Sequence, residues 1–191
     1  MNQVKGIILN AKLGDGGIVH QGHTNAYMRF TSTNIELLNL KREMCKEYSP
    51  SNFREIESGY TKGKRGIFTF YTRSHEDITK VYYMSYAECV RMLEKEDLIM
   101  WYLDDGSFHQ KKHYMHLYCN MFNEEETNLL ADRVFELYPI KRPVMLWDRK
   151  KDGRKYAYLY IPVATATAFK KDVREFIEKH ELPSLLYKVG A

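Results

Sequence analysis

The 191-residue sequence predicts an α+β fold made of two pseudo-symmetric αββαββα halves, each with an antiparallel sheet. Three observations predict this fold. An apolar helical run that ends in acid-glycine occurs twice, and an alternating strand follows each run. Each strand then leads into a helix with a capping signal, at matching positions in the two halves.

The acid-glycine ending closes Gly6-Ile-Ile-Leu-Asn-Ala-Lys-Leu-Gly-Asp15-Gly16 and Leu98-Ile-Met-Trp-Tyr-Leu-Asp-Asp105-Gly106, with 90 residues from one Asp to the other. Taken singly, each ending is a good turn sequence, and a turn alone explains it. Repetition in matching surroundings favours a second interpretation, in which internal symmetry brings Asp15 and Asp105 together.

The strands that follow alternate polar and apolar residues, as half-buried strands do. Residues expected to face the core are Ala26, Met28 and Phe30 in the first half and Met115, Leu117 and Cys119 in the second. Residues expected to face outward are Asn25, Tyr27, Arg29 and Thr31, then Tyr114, His116, Tyr118 and Asn120. Each sheet should therefore have one face against helices and one free face.

Both halves continue in the same order. Thr33 with Glu36 and Asn123 with Glu126 are predicted caps for helices over 34–46 and 124–137, and 15 residues separate each cap from a closing Tyr. Hairpins follow, with return strands over 67–72 and 157–162 and further helices over 75–83 and 164–179. We predict one domain of two repeats, 1–94 and 95–191.

The hairpin tips are basic, with Lys62, Lys64 and Arg65 in the first half and Arg149, Lys150, Lys151, Arg154 and Lys155 in the second. Beside outward faces of Arg, Asn, His and Tyr, they have the composition of a two-stranded ribbon that lies in a DNA major groove. A solvated sheet face is the alternative that these residues leave open.

Asp15 and Asp105 each follow an apolar helix, where the helix dipole disfavours a carboxylate and a cation should compensate. Two such carboxylates brought together would repel, which either raises the pKa of one of them or recruits a divalent ion. Hard oxygen ligands suit Mg²⁺ that bridges to substrate phosphates, and this arrangement serves metal-assisted phosphodiester hydrolysis. The histidines and cysteines follow no zinc spacing, and no nucleophile motif is present.

These segments resemble the LAGLIDADG homing endonucleases in their single-chain form with two motifs. Trp101-Tyr-Leu-Asp-Asp-Gly-Ser107 is a close match to a common motif version, and Lys12-Leu-Gly-Asp-Gly-Gly17 matches a Gly-Asp-Gly variant. Thr69-Phe-Tyr-Thr-Arg-Ser-His75 and Leu182-Pro-Ser-Leu-Leu-Tyr-Lys188 are similar to later family segments. The resemblance implies two sheets that form a DNA-binding saddle, with the motif helices packed together at a pseudo-twofold axis.

The resemblance also implies a site. Asp15 and Asp105 would hold Mg²⁺ or Mn²⁺, and Lys188 would be the basic residue near the cleaved bond. The first half has no matching lysine, and Arg91 or Lys95 is the nearest candidate. The activity implied is a double-strand break in a long asymmetric target of double-stranded DNA. Asn10 and Lys12 depart from the apolar motif helix, so either they point outward or the two halves pack asymmetrically.

Composition sets further limits. A net charge of +4 requires any nucleic-acid surface to be a local concentration of charge. The odd number of cysteines, three, fits a reducing, intracellular compartment whose identity stays open, and no apolar run is long enough for a membrane span. We expect a soluble monomer, with host intron RNA as a further candidate partner.

Two alternative functions remain open. One is a non-cleaving maturase or regulator on this fold, and the other is an α+β interaction protein whose acid-glycine pairs only end helices.

Overall fold

The computed structural model describes residues 3–22, 24–56, 66–149, 153 and 155–191. The chain divides into two compact units, Met1–Met84 and Ser85–Ala191, and each contains one four-stranded antiparallel sheet. Among the described residues, no helix is both long and apolar enough to cross a membrane.

The first unit follows the predicted order. Its elements are α1 (Gln3–Leu13), β1 (Gly16–Val19), β2 (Tyr27–Ser32), α2 (Ile35–Met44), a 3₁₀ turn (Lys46–Tyr48), β3 (Arg54–Ile56), β4 (Ile67–Tyr71) and α3 (Glu76–Tyr83). The sheet order is β1-β2-β4-β3. Ala26, just before β2, and Met28 and Phe30 within it are fully buried, whereas Arg29 is exposed, so the predicted alternation is confirmed.

The second unit opens with a helix that precedes the motif helix. Its elements are α4 (Tyr86–Met92), α5 (Lys95–Asp105), β5 (Gly106–Phe108), β6 (Met115–Tyr118), α6 (Glu124–Leu137), β7 (Val144–Arg149), β8 (Lys155–Ile161), α7 (Val163–Lys179) and a 3₁₀ segment (Pro183–Val189). The sheet order, β5-β6-β8-β7, repeats the first unit. Met115, Leu117 and Cys119 are fully buried, as predicted.

Helix α4 belongs to the second unit by its contacts. The Arg133 guanidinium, on α6, donates to the Leu93 carbonyl from Nε at 2.9 Å and from Nη2 at 2.6 Å. The Tyr86 and Phe122 rings lie 5.2 Å apart. Along the chain, the first compact unit ends at Met84 and the second begins at Ser85. This division is ten residues before the repeat boundary that the sequence predicts at 94/95. That repeat boundary stays a prediction.

One predicted cap is wrong and the other is confirmed. In α2 the cap is Asn34, not Thr33: the Asn34 side chain accepts from the Leu37 N–H at 2.9 Å. The Asn34 N–H itself donates to the Ser32 hydroxyl. The helix therefore has its cap one residue later than the sequence predicts. In α6, Asn123 and Glu126 form the predicted reciprocal capping box.

Candidate functional site

Each motif acid lies where a helix passes directly into a strand. Asp15 follows α1 and is exposed, and Gly16 begins β1. Asp105 is the last residue of α5, is half-buried, and precedes Gly106 at the start of β5. Both carboxylates are thus carried at the carbonyl end of an apolar helix, beside oxygen acceptors of the backbone.

The glycines of the motif are required because other atoms of the chain lie too close to leave room for a side chain. A Cβ on Gly16 would lie 2.5 Å from the Ala11 Cα and 2.9 Å from the Ala11 carbonyl oxygen. A Cβ on Gly106 would overlap the ring and carbonyl of Tyr102. Neither glycine has a positive φ, so the reason is space rather than backbone conformation. The missing side chain lets the strand leave directly beneath the helix and fixes the position of the preceding acid.

Lys188 is bound to the end of the second motif. Its ammonium donates to the carbonyls of Gly106 at 2.6 Å and Asp104 at 3.2 Å, and the residue is only 8% exposed. The Tyr102 hydroxyl donates back to the Lys188 carbonyl at 2.7 Å. A cation therefore lies at the negative end of α5, where the helix dipole favours it.

The first motif carries its own lysine within α1. The Lys12 ammonium donates to the carbonyls of Val81 at 2.8 Å and Tyr82 at 2.9 Å, and to the Met84 carbonyl. These carbonyls end α3, so Lys12 links the motif helix to that helix instead of pointing outward. Asn10 is also buried, at 2% exposed.

The candidates for a first-half counterpart of Lys188 both lie in the second unit. Arg91 is exposed on α4. Lys95 lies 3.4 Å from the Asp172 carboxylate and 4.5 Å from the centre of the Tyr138 ring. Asp15 lies in the first unit, and the catalytic role of Arg91 or Lys95 stays a prediction.

The predicted DNA-contacting residues of the strands lie on the outward faces. Asn25, Arg29 and Tyr118 are exposed, and Tyr27, Tyr114 and His116 are half-buried. Lys155 is exposed at the start of β8, where it pairs with Arg149 at the end of β7. Lys62, Lys64, Arg65, Lys150, Lys151 and Arg154 lie outside the described residues.

Sequence reasoning missed the outward tyrosines of β8. Tyr160 pairs with His116 and Tyr158 pairs with Tyr118 in the sheet register, so both share the free face of β6. The sequence contains a signal for them, because Tyr156-Ala-Tyr-Leu-Tyr-Ile161 alternates as strictly as the predicted strands of β2 and β6. Burial, and to a lesser degree His109, lowers the pKa of His116.

The donor atoms at the motif ends fit a hard divalent cation. Each end offers a carboxylate, and carboxylate oxygens are among the ligands that Mg²⁺ and Ca²⁺ prefer. At the second end the Gly106 and Asp104 carbonyls already accept from the Lys188 ammonium. Within the described ranges, no group of three or more His, Cys, Asp or Glu residues could hold a metal by itself. An ion at either acid would therefore complete its shell with water or other oxygen ligands, as Mg²⁺ commonly does.

Residues 5–169 match the profile of the LAGLIDADG DNA endonuclease family, and this chain belongs to that family. The predicted family and fold class are thus confirmed. No curated protein sequence matches the chain.

Solved structures show the same fold. The homing endonuclease I-WcaI bound to its DNA recognition sequence is 19% identical with a TM-score of 0.73, covering 98% of this chain and 86% of that one. I-DmoI in complex with DNA and Ca is 13% identical, with a TM-score of 0.58 and coverage of 90% and 88%. The N-terminal LAGLIDADG domain of DUF199/WhiA is also 13% identical, with a TM-score of 0.57 and coverage of 91% and 84%.

Proposed function

We propose that this protein is a site-specific DNA endonuclease, a homing endonuclease that makes a Mg²⁺-dependent double-strand break in a long asymmetric target. The observation that carries the proposal is the repeated helix-to-strand junction, where Asp15 and Asp105 each precede a glycine that has no room for a side chain. Membership of a DNA endonuclease family supports it. So do relatives of the same fold that were solved with DNA.

In this mechanism Asp15 and Asp105 would hold the divalent ions, Mg²⁺ or Mn²⁺. When bound, such an ion supplies Lewis-acid activation of water and stabilises charge on the leaving oxygen. Lys188 holds the end of α5 through two carbonyls and so keeps Asp105 in position, and its positive charge favours the phosphorane-like transition state. Arg91 or Lys95 is the proposed first-half counterpart.

Binding relies on the free sheet faces and the basic hairpins. The outward residues of β2 and β6 would meet base edges in the major groove, while the hairpin lysines and arginines would neutralise phosphates. Because one chain carries both motifs, a monomer would suffice for both strands. Intron homing in an intracellular compartment, with host intron RNA as an additional partner, completes the proposal.

A second candidate is a nucleic-acid binder on the same fold that does not cleave, acting as an intron maturase or regulator. One observation favours it: the lysines nearest the motifs, Lys12 and Lys188, both donate to backbone carbonyls. If these bonds persist on DNA, the lysines stabilise the fold and contribute little to chemistry.

The experiment is a cleavage assay on DNA that spans the uninterrupted insertion site of the gene, with Mg²⁺ or with EDTA. Asp105→Asn should abolish cleavage and leave binding intact, because the amide loses the charge that attracts the ion. Asp104→Asn is the matched control on the same helix and should keep cutting. Salt-sensitive binding without a cut in the wild type would select the maturase or regulator. Neither binding nor cutting would select the interaction protein.

A further inference from the structure

The free face of the second sheet is a continuous layer of aromatic rings. We call Tyr114, His116, Tyr118, Tyr158 and Tyr160 the tyrosine face. Ring centres are 4.8 Å apart for Tyr114 and His116, 4.7 Å for His116 and Tyr158, and 5.0 Å for Tyr114 and Tyr160. These spacings are those of packed aromatic pairs, so the layer holds its shape.

The neighbouring strand extends this surface with aliphatic side chains. Val144 lies opposite Tyr160 in the register and is 48% exposed, and Leu146 lies opposite Tyr158 and is 39% exposed. Because polar residues are the usual choice on a free sheet face, exposed aliphatic residues beside a ring layer indicate a contact surface.

The same positions in the first sheet carry cations. Arg29 pairs with Tyr71 as His116 pairs with Tyr160, and Arg54 pairs with Thr69 as Leu146 pairs with Tyr158. Where the first sheet has Arg29 and Arg54, the second sheet has His116 and Leu146. Burial lowers the pKa of His116, which favours the neutral imidazole, and no lysine or arginine belongs to the tyrosine face.

Charge decides what each face can recognise. Arginine reads guanine through two hydrogen bonds, whereas apolar side chains contact the thymine methyl group, which projects into the major groove. Tyrosine hydroxyls add single hydrogen bonds to base edges or phosphates. The tyrosine face can contact thymine methyl groups, but it has no arginine to read guanine.

We infer that the tyrosine face, with Val144 and Leu146, reads thymine methyl groups in the half of the target that the second sheet contacts. This inference rests on the proposed function, because it assumes that the sheet faces duplex DNA. Arg29 and Arg54 on the first sheet would read guanine instead. The two half-sites would then differ in base composition and in salt dependence.

The test begins with a pool of duplexes that share a randomised central segment, selected for binding in EDTA so that cleavage plays no part. Each thymine of a recovered duplex is then replaced by deoxyuridine, which removes only the methyl group. Loss of one buried methyl should weaken binding about fourfold at thymines that touch the tyrosine face. Fluorescence anisotropy gives the dissociation constants.

Variants assign the effect to this face. Tyr118→Ala should abolish the fourfold difference at one or more of these thymine positions, those that contact Tyr118. Tyr118→Phe, which keeps the ring, should preserve the difference at every position. Arg29→Ala is the control: it should weaken binding and lower the salt dependence, and leave the difference unchanged.

Three results would overturn the inference. Duplex binding that ignores deoxyuridine at every position would remove methyl readout and leave the proposed endonuclease standing. Failure to bind any duplex would remove both. Self-association of the wild type that Tyr118→Ala abolishes would identify the face as an interface between copies of this chain.

Discussion

Replacing Lys188 with methionine tests how the second motif is held in place. The ammonium of this nearly buried lysine supplies donors to the Gly106 and Asp104 carbonyls at the end of α5. Methionine fills similar space and removes both hydrogen bonds and the favourable charge at the helix terminus. The neighbouring backbone should then lose part of its hydrogen bonding.

The expected cost follows from these contacts. A buried acceptor that loses its donor costs about 1–3 kcal/mol, and a cation at a helix end contributes up to about 2 kcal/mol. The ammonium also regains solvation in the unfolded chain, which offsets part of both contributions. We expect Lys188→Met to lower the free energy of unfolding by about 2–3 kcal/mol.

Tryptophan fluorescence during urea unfolding is the suitable assay. Both tryptophans, Trp101 and Trp147, lie in the second unit with Lys188, so the signal reports on that unit. Lys179→Met is the matched control, because the Lys179 ammonium faces Glu96 at 3.5 Å and both side chains are largely exposed. The control should change stability by less than about 0.5 kcal/mol. Equal stability of the two variants would refute the role assigned to Lys188.

Three further predictions concern stability. Gly16→Ala should cost more than about 2 kcal/mol by urea unfolding, because its Cβ meets helix backbone. Gly17→Ala should stay within about 1 kcal/mol of the wild type, because its Cβ would meet only the Arg29 guanidinium at 4.0 Å. Equal losses would remove the steric reason for the motif glycine. Arg133→Leu should cost about 1–3 kcal/mol, because the Leu93 carbonyl loses its donor, and an unchanged midpoint would contradict that contact. The pKa of His116 is lowered from 6.5 in the folded state, so the unfolded chain binds its proton first as pH falls. The stability contribution of neutral His116 is therefore complete above pH 6.5 and is lost as the pH falls below that value. In a series of unfolding curves at different pH, the free energy of unfolding should fall less steeply towards acid in His116→Phe than in the wild type. An identical fall in both proteins would contradict the lowered pKa.

The sequence by itself determined the parts of this protein that depend on local periodicity and capping. Alternation of polar and apolar residues placed Met28 and Leu117 in the core, and the Asn123 capping box fixed the start of α6. These signals involve residues within a few positions of one another, so they are legible without tertiary contacts. Each acid-glycine motif is likewise a run of neighbouring residues, and its recurrence 90 residues later is what carries the resemblance to the family.

Only the tertiary structure decided which distant groups meet. The sequence shows Lys12 as a departure from an apolar helix, and in the structure its ammonium donates to carbonyls 69 to 72 residues further along the chain. Nothing in the local sequence shows that the motif glycines are required by the backbone beneath them, or that α4 joins the second unit. Such contacts depend on how elements pack, because a hydrogen bond between distant residues exists only after the chain between them has folded.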